Sequence, residues 1–149
     1  MTLVIPAHLL EAIQAQGKGA YPEEGAGFIL GSTHGHTRTA SAILPQANLF
    51  EVSERRRRYR ISPQDMLRAE READAMGLEI IGIFHSHPDH PAEPSAYDLE
   101  YSLPWFFYLI TSVREGHAGE SRVWLMREDR SGFTEIALRT QTATQSNEA

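Results

Sequence analysis

Residues 83 to 98 have the sequence IFHSHPDHPAEPSAYD, and this stretch carries the strongest structural and chemical signal in the chain. A β-branched, apolar run over residues 78–84 leads into it and predicts a central strand that is covered on both faces. His85 and His87 follow at i and i+2, so on an extended chain their side chains leave the same face with Cα atoms ~6.6 Å apart. Pro88 favours extended backbone at His87. The strand is therefore expected to deliver two imidazoles that can converge on one ion.

Asp98 can supply a third ligand from the first turn of a short helix that is predicted to begin near Ser95. Two histidines and one carboxylate leave the fourth position of a tetrahedral ion for water, which is the arrangement of a catalytic zinc. Each half of the pattern also has an ordinary interpretation. A His-x-His pair at a strand end is often a solvated turn, and Ser95-x-x-Asp98 is also a capping box. The combination of the two halves favours a metal site.

The rest of the chain predicts one domain of alternating helices and strands. The predicted elements, in chain order, are an opening helix after Pro6 that ends at Gly17 and Gly19, strands at 27–31 and 37–44, a loop at 45–57, a helix capped by Ser62 and ended by Gly77, the strand at 78–84, the short helix near Ser95, and strands at 105–113, 121–127 and 133–138. This order implies a mixed α/β sheet with helices packed against it, in one domain over residues 1–138. The polar residues 139–149 are expected to form a disordered tail.

Composition narrows the chemistry further. The chain has 149 residues and no cysteine, which excludes a thiolate nucleophile, a disulfide framework and a Cys-type zinc site. The formal net charge of −6 argues against nucleic acid as a partner. No apolar run approaches the ~20 residues that span a bilayer, and the first residues do not resemble a signal peptide. We therefore expect a soluble, cytoplasmic protein without a membrane partner.

The spacing His85-x-His87-x7-Ser95-x2-Asp98 matches, without gap or substitution, the JAMM motif of the MPN-domain metalloproteases, and the chain resembles that family. The family also has an upstream glutamate, and the segment around Glu24 resembles the family's Glu-x-x-Gly-aliphatic pattern. The resemblance covers about residues 20–137. It implies a single MPN (JAMM) domain with a mixed β-sheet flanked by helices, in a cytidine-deaminase-like three-layer arrangement.

The resemblance also implies what each site residue does. His85, His87 and Asp98 would hold one Zn²⁺ per chain, and a water on that zinc would be the nucleophile. Glu24 would act as the general base, and Ser95 would donate to the oxyanion. The activity implied is that of a zinc metallopeptidase or isopeptidase.

The expected partner follows from the same resemblance. Small bacterial stand-alone JAMM proteins similar to this chain act after the C-terminal glycine of ubiquitin-like sulfur carrier proteins, so a ubiquitin-like or sulfur carrier protein with a C-terminal Gly-Gly tail is the expected substrate. The arginine run either borders the groove for this tail or forms a solvated edge; it consists of Arg55, Arg56, Arg57 and Arg58. Trp105 either lines that groove or belongs to the sheet core. A homo-oligomer is also possible.

Two alternative interpretations compete with the metallopeptidase, and the residues argue against both. A non-catalytic MPN scaffold would keep the fold and lose the metal, although none of the Glu, His and Asp positions of the motif is eroded here. The stretch His85-x-His87-x-Asp89-His90 also fits the His-x-His-x-Asp-His signature of two-zinc metallo-β-lactamase-type hydrolases. Only His117 follows it as a further histidine ligand, and the chain is short for that fold.

Overall fold

The computed structural model describes residues 1–47 and 59–142. Within these ranges it contains seven strands and three helices. In chain order they are β1 Thr2–Pro6, α1 Ala7–Ala20, β2 Ala26–His34, β3 Thr37–Gln46, α2 Pro63–Ala75, β4 Glu79–Pro88, α3 Ala96–Tyr101, β5 Phe107–Arg114, β6 His117–Met126 and β7 Phe133–Gln141.

The strands form a closed barrel in the order β1-β3-β2-β4-β5-β6-β7. The strand β4, which ends in the two histidines, lies antiparallel to β2 and parallel to β5. The short strand β1 closes the ring because it pairs in parallel with both β3 and β7. Parallel and antiparallel pairs thus occur in one sheet with helices packed on it, and the predicted mixed α/β class is confirmed.

The helices α1 and α2 pack on opposite faces of the sheet. Along β2 the side chains alternate: Ile29 joins the apolar cluster around α1, whereas Phe28 and Leu30 join the cluster around α2. The helices contribute their buried side chains to the same two clusters, Leu9 and Ile13 from α1 and Ala69 and Ala73 from α2. The sheet therefore lies between helices, as the three-layer expectation requires.

The opening of the domain differs from its prediction. A strand, β1, precedes the expected first helix, and its Leu3, Val4 and Ile5 are buried. Five residues carry little local periodicity, and the partners of β1 lie far along the chain. The strand is stabilised by this distant pairing and by burial.

The pairing of β1 with β7 places the end of the domain later in the chain than predicted. The strand β1 pairs Val4 with Arg139, Ile5 with Thr140 and Pro6 with Gln141. The sheet therefore extends past residue 138, and residues 139–141 belong to β7 rather than to the expected tail. Residues 143–149 lie outside the described part of the chain. Among the described helices, none combines the length and apolarity that crossing a membrane requires.

Candidate metal centre

The two histidines lie at the end of β4, buried on the face of the sheet that α2 covers. His85 is 1% exposed and His87 is 5% exposed. Tyr59 stacks on His85, with ring centroids 4.5 Å apart and an interplanar angle of 28°. Ser86, between the histidines, faces the opposite side and contacts Gly17 of α1. The i, i+2 alternation predicted for this strand is thus the observed one.

The sequence predicts that α1 ends at Gly17 and Gly19, whereas both glycines lie inside the helix, which continues to Ala20. A Cβ atom at Gly17 would come within 2.9 Å of the Ser86 Cβ atom. The glycine therefore allows the helix to approach β4 closely directly behind the histidines, which offsets the poor helix propensity of glycine.

Glu24 lies in the turn between α1 and β2 and is 4% exposed. Its Oε1 atom is 3.4 Å from Nδ1 of His85. The turn is attached to β4 by two hydrogen bonds: the Gly25 N–H donates to Ser86 Oγ at 2.8 Å, and the Ser86 N–H donates to the Gly25 carbonyl at 3.0 Å. Ser86 thus holds the Glu24 segment against the histidine-bearing strand.

Asp98 reaches the histidines from the first turn of α3 and is 4% exposed. Its backbone N–H donates to Ser95 Oγ, and its Oδ2 accepts from the Ser95 N–H at 2.8 Å, which completes the predicted capping box. Oδ2 also lies 3.2 Å from His87 Nε2, and Oδ1 lies 3.7 Å from His85 Nε2. One carboxylate therefore faces both imidazoles.

The electrostatics of this cluster of histidines and carboxylates favour a positive charge next to Asp98 and Glu24. Burial by itself would raise the pKa of Asp98, but the nearby His85 and His87 and the Ser95 N–H lower that pKa to about 2. Burial opposes the charged form of His87, yet its hydrogen bond to Asp98, together with the charges of Asp98 and Glu24, raises the pKa of His87. Asp98 is thus an ionised acceptor at neutral pH.

Two observations show that the residues fit a cation. Both ring nitrogens of His85 are buried and lack a hydrogen-bond partner among the described residues. The Nδ1 atom of His87 lies 3.0 Å from the Pro91 carbonyl oxygen, which can only accept, so Nδ1 carries the proton. In a neutral ring Nε2 then turns a lone pair towards the Asp98 carboxylate. Two facing acceptors require a proton or a metal ion between them.

The spacings suit a zinc-sized ion. Two ligand atoms each ~2.1 Å from a tetrahedral zinc are ~3.4 Å apart. The Asp98 carboxylate lies 3.2 Å from Nε2 of His87 and 3.7 Å from Nε2 of His85. The Glu24 carboxylate lies 3.4 Å from the other ring nitrogen of His85, Nδ1. Ligand atoms of Glu24, His85 and His87 also lie within 4.8 Å of one another. Either carboxylate could complete the set, because one nitrogen of His85 faces each of them.

Ser95 is exposed and borders a small cleft of about 160 Å³ beside the cluster. The cleft is lined by Glu24, His87, Pro88, His90 and Ser95. The Ser95 hydroxyl accepts from the Asp98 N–H at 3.1 Å, which leaves its hydrogen able to donate into the cleft. A larger cavity of about 510 Å³ adjoins Asp98 and is lined in part by Tyr59, Tyr97, Tyr101 and Leu103.

Asp89 does not take part in the cluster. Its carboxylate accepts from the Tyr21 hydroxyl at 2.7 Å and from the Glu115 N–H at 2.8 Å. His90 is exposed, and so is His117 at the start of β6. The two-zinc alternative needs Asp89 and further histidines around one centre, so its ligands are missing from the described site.

The remaining predicted residues have different outcomes. Trp105 is 58% exposed in the turn before β5, so it is not a core residue. Arg55, Arg56, Arg57 and Arg58 lie outside the described residues.

Sequence reasoning missed three groups that contact the site, namely Tyr59, Ser86 and the Pro91 carbonyl. The position of Ser86 between the two histidines was a usable signal, because alternation along a strand places its side chain on the face opposite to theirs.

Solved structures share this architecture. A JAB1/MPN domain protein from Archaeoglobus fulgidus superimposes with a TM-score of 0.58 at 18% identity, covering 93% of this chain and 96% of that one. A protein from Salinibacter ruber superimposes with a TM-score of 0.72 at 38% identity, covering 92% of this chain and 90% of that one. The fold is therefore that of a JAB1/MPN domain.

Residues 6–127 match the family of prokaryotic homologs of the JAB domain, and the chain belongs to this family. A desampylase from Pyrococcus furiosus is 33% identical over 128 residues, which cover 85% of this chain and 83% of the relative. A probable TtuB-protein conjugate cleaving protease from Thermus thermophilus is 28% identical over 117 residues, or 76% of this chain and 74% of the relative. The resemblance to JAMM and MPN proteins is confirmed.

Proposed function

We propose that this protein is a zinc-dependent peptidase or isopeptidase that hydrolyses the bond after the C-terminal glycine of a ubiquitin-like or sulfur carrier protein. The observation that carries the proposal is a buried cluster beside an open cleft, in which Glu24 lies with His85 and His87 and the Asp98 carboxylate faces both histidines. The names of the relatives support the substrate class, because they describe a desampylase and a protease that cleaves TtuB-protein conjugates.

His85, His87 and Asp98 are the proposed zinc ligands. Two neutral imidazoles and one carboxylate contribute a single negative charge, so a divalent cation keeps a net positive charge at this site. When bound, zinc supplies a Lewis acid that lowers the pKa of water and polarises a carbonyl group. Asp98 is suited to its role because it is already ionised at neutral pH, with a pKa of about 2.

Glu24 is the proposed general base. Its carboxylate lies at the edge of the cleft, 3.4 Å from His85, and can accept a proton from an attacking water molecule. The same carboxyl group then gives this proton to the leaving amine. The two hydrogen bonds between Gly25 and Ser86 hold the segment in place, so the carboxylate needs little reorganisation during the reaction.

Ser95 is the proposed donor to the carbonyl oxygen as negative charge develops there. Its oxygen is engaged by the Asp98 N–H, which orients the hydroxyl while leaving its hydrogen available. A preorganised donor of this kind stabilises the transition state more than the ground state.

The size of the cleft favours a thin substrate segment. A volume of about 160 Å³ beside Glu24 and Ser95 suits a tail without side chains, such as Gly-Gly, which can lie extended along its binding groove. We include Arg55, Arg56, Arg57 and Arg58 as candidate contacts to the carrier protein. Trp105 is not among them, because Phe107, two residues later, pairs with Gly82, whereas the site lies at the other end of β4, where His87 pairs with Ser112.

The direct test is incubation of the zinc-loaded protein with ubiquitin-like carriers that bear C-terminal extensions, in peptide and isopeptide linkage, followed by intact mass measurement. We expect loss of the extension after the terminal glycine, with one zinc per chain. A chelator should abolish cleavage while circular dichroism stays unchanged, because the barrel core does not depend on the ion. Carriers that bind but stay intact would favour the non-catalytic scaffold, and two zinc equivalents would contradict the proposed centre.

A further inference from the structure

The loop between β4 and α3 is attached to the rest of the molecule at each residue from 89 to 93. Backbone and side-chain groups of β5 hold its first part: the Asp89 N–H donates to the Val113 carbonyl at 2.7 Å, and Ser112 Oγ donates to the His90 carbonyl at 2.6 Å. The Pro91 carbonyl lies 3.0 Å from Nδ1 of His87. Side chains of β6 hold its last part: Trp124 Nε1 donates to the Ala92 carbonyl at 2.9 Å, and Arg122 donates to the Glu93 carboxylate at 3.0 Å. The path of the loop is therefore set largely by β5 and β6.

Three consecutive carbonyl groups in this loop each accept a hydrogen bond from a side chain. The central carbonyl, that of Pro91, contacts His87, and the flanking ones accept from Ser112 and Trp124. Peptide units are planar, so fixing the two neighbouring carbonyls leaves the Pro91 carbonyl little freedom to turn. The guanidinium of Arg122 lies 4.7 Å from the centre of the Trp124 ring and supports the indole from one face.

We propose that Ser112 and Trp124 are positioning residues for the metal centre. By holding the carbonyls on either side of Pro91, they keep its oxygen on the Nδ1–H of His87, so that Nε2 is the nitrogen presented to the ion. This inference rests on the proposed function, because it takes His87 as a zinc ligand. Neither side chain touches the ion or the substrate.

The expected size of the effect follows from the position of the two residues. Removing the hydrogen-bond partner of a ligating histidine commonly weakens metal binding by 10–100-fold. Ser112 and Trp124 act through one further bond, so we expect each variant to weaken zinc binding by about 10-fold, the lower end of that range.

The experiment measures the zinc dissociation constant of the full chain by competition with a chromogenic chelator. Trp124→Phe removes the indole N–H and keeps an aromatic ring, and Ser112→Ala removes one buried hydroxyl from β5. The matched controls are Trp105→Phe, at an exposed tryptophan, and Thr111→Val, which removes the neighbouring hydroxyl that contacts Ser121 instead of the loop. Thermal unfolding of the zinc-free proteins reports any general loss of stability.

A second readout observes the hydrogen bond itself. In the zinc-loaded wild type, the Nδ1–H proton of His87 should exchange slowly with solvent in nitrogen-proton correlation spectra, with the signal assigned by its loss in His87→Gln. In Trp124→Phe and Ser112→Ala this proton should exchange with solvent faster than in wild type. Both controls should keep the wild-type proton exchange rate and the wild-type zinc affinity.

The outcomes separate this inference from the proposed function. Wild type that binds zinc, together with variants of unchanged affinity and unchanged exchange, overturns the positioning role alone. Equal weakening in the controls overturns it as well, because the effect is then general loosening of the barrel. Wild type that binds no zinc contradicts the proposed metal centre and this inference together.

Discussion

Two helices of this chain begin with the same four-residue pattern, and only one of them takes part in the candidate site. Ser62-x-x-Asp65 spans the start of α2 and Ser95-x-x-Asp98 spans the start of α3, and each forms a complete capping box. In both, the serine oxygen accepts from the aspartate N–H, and the aspartate accepts from the serine N–H. The local geometry of the two helix starts is thus equivalent.

The surroundings of the two aspartates differ. The Asp65 side chain is 16% exposed and pairs with Arg68 at 3.1 Å, one turn along its own helix. The Asp98 side chain is 4% exposed and faces His85 and His87. Four residues are enough to make a cap, because its bonds are local. What the carboxylate does beyond capping depends on which strand end lies beside it.

The largest difference should appear when each aspartate loses its charge. We expect Asp98→Asn to weaken zinc binding by more than 100-fold and to abolish carrier cleavage, since even partners outside the ligand set contribute 10–100-fold. Asp65→Asn should keep zinc affinity within about twofold. Chelator competition measures the affinity, and zinc should raise the unfolding temperature of wild type and Asp65→Asn only.

This pair of variants also decides which carboxylate shares the ion with the histidines. If Asp98→Asn keeps full zinc affinity, the zinc ligands are Glu24, His85 and His87. Ligand atoms of these three residues already lie within 4.8 Å of one another. The capping boxes would then be equivalent in function as well as in geometry.

The next largest effect concerns two adjacent glutamates, where again one of two similar residues faces the cluster. Glu24 is buried beside His85, whereas Glu23 is half-buried in the same turn. We expect Glu24→Gln to keep zinc and fold but to lower kcat by 10³–10⁴-fold, the upper part of the range for a general base. Glu23→Gln should stay near wild type in a steady-state assay on a cleavable carrier.

Exchanged behaviour of the two glutamates would mean that the register inferred from the family pattern is wrong by one residue. Loss of zinc in Glu24→Gln, with zinc retained in Asp98→Asn, would instead exchange the roles of base and ligand between the two carboxylates.

The parts of the site that sequence could predict are those with local spacing. Strand periodicity placed His85 and His87 on one face, and helix capping placed Asp98 at the start of α3. Glu24 lies far from them along the chain, and only the family resemblance pointed to it. The same holds for the fold: the long periodic segments were recognised, whereas β1 was missed because its pairing with β3 and β7 is not local.

Contacts made by backbone groups and by packing were outside the reach of sequence reasoning. The carbonyl of Pro91 on His87 has no residue-type signature, since every residue carries a carbonyl. Tyr59 stacks on His85 across 26 residues of sequence, and nothing in the local pattern of either segment indicates this tertiary contact. Gly17 predicted a helix end, yet close packing against Ser86 outweighed its low helix propensity.

The smallest effect separates capping from catalysis at the two serines. Ser62→Ala and Ser95→Ala each remove a capping oxygen, so each should lower the free energy of unfolding by about 1 kcal/mol. For a chain of this size that corresponds to about 2–4 °C in Tm, measured on the zinc-free proteins. Ser41→Ala, at an exposed serine of β3, is the control and should leave Tm unchanged.

Only Ser95→Ala should also change the rate. Loss of an oxyanion donor lowers kcat by about 10²–10³-fold, and Ser62 lies at the start of another helix. Ser95→Thr keeps a hydroxyl that can cap and donate, so it should restore most of the rate, whereas Ser95→Asp restores the cap without a donor and should not. If Ser95→Ala and Ser62→Ala have the same kcat, Ser95 is a cap alone, and the contrast between the two helices rests entirely on their aspartates.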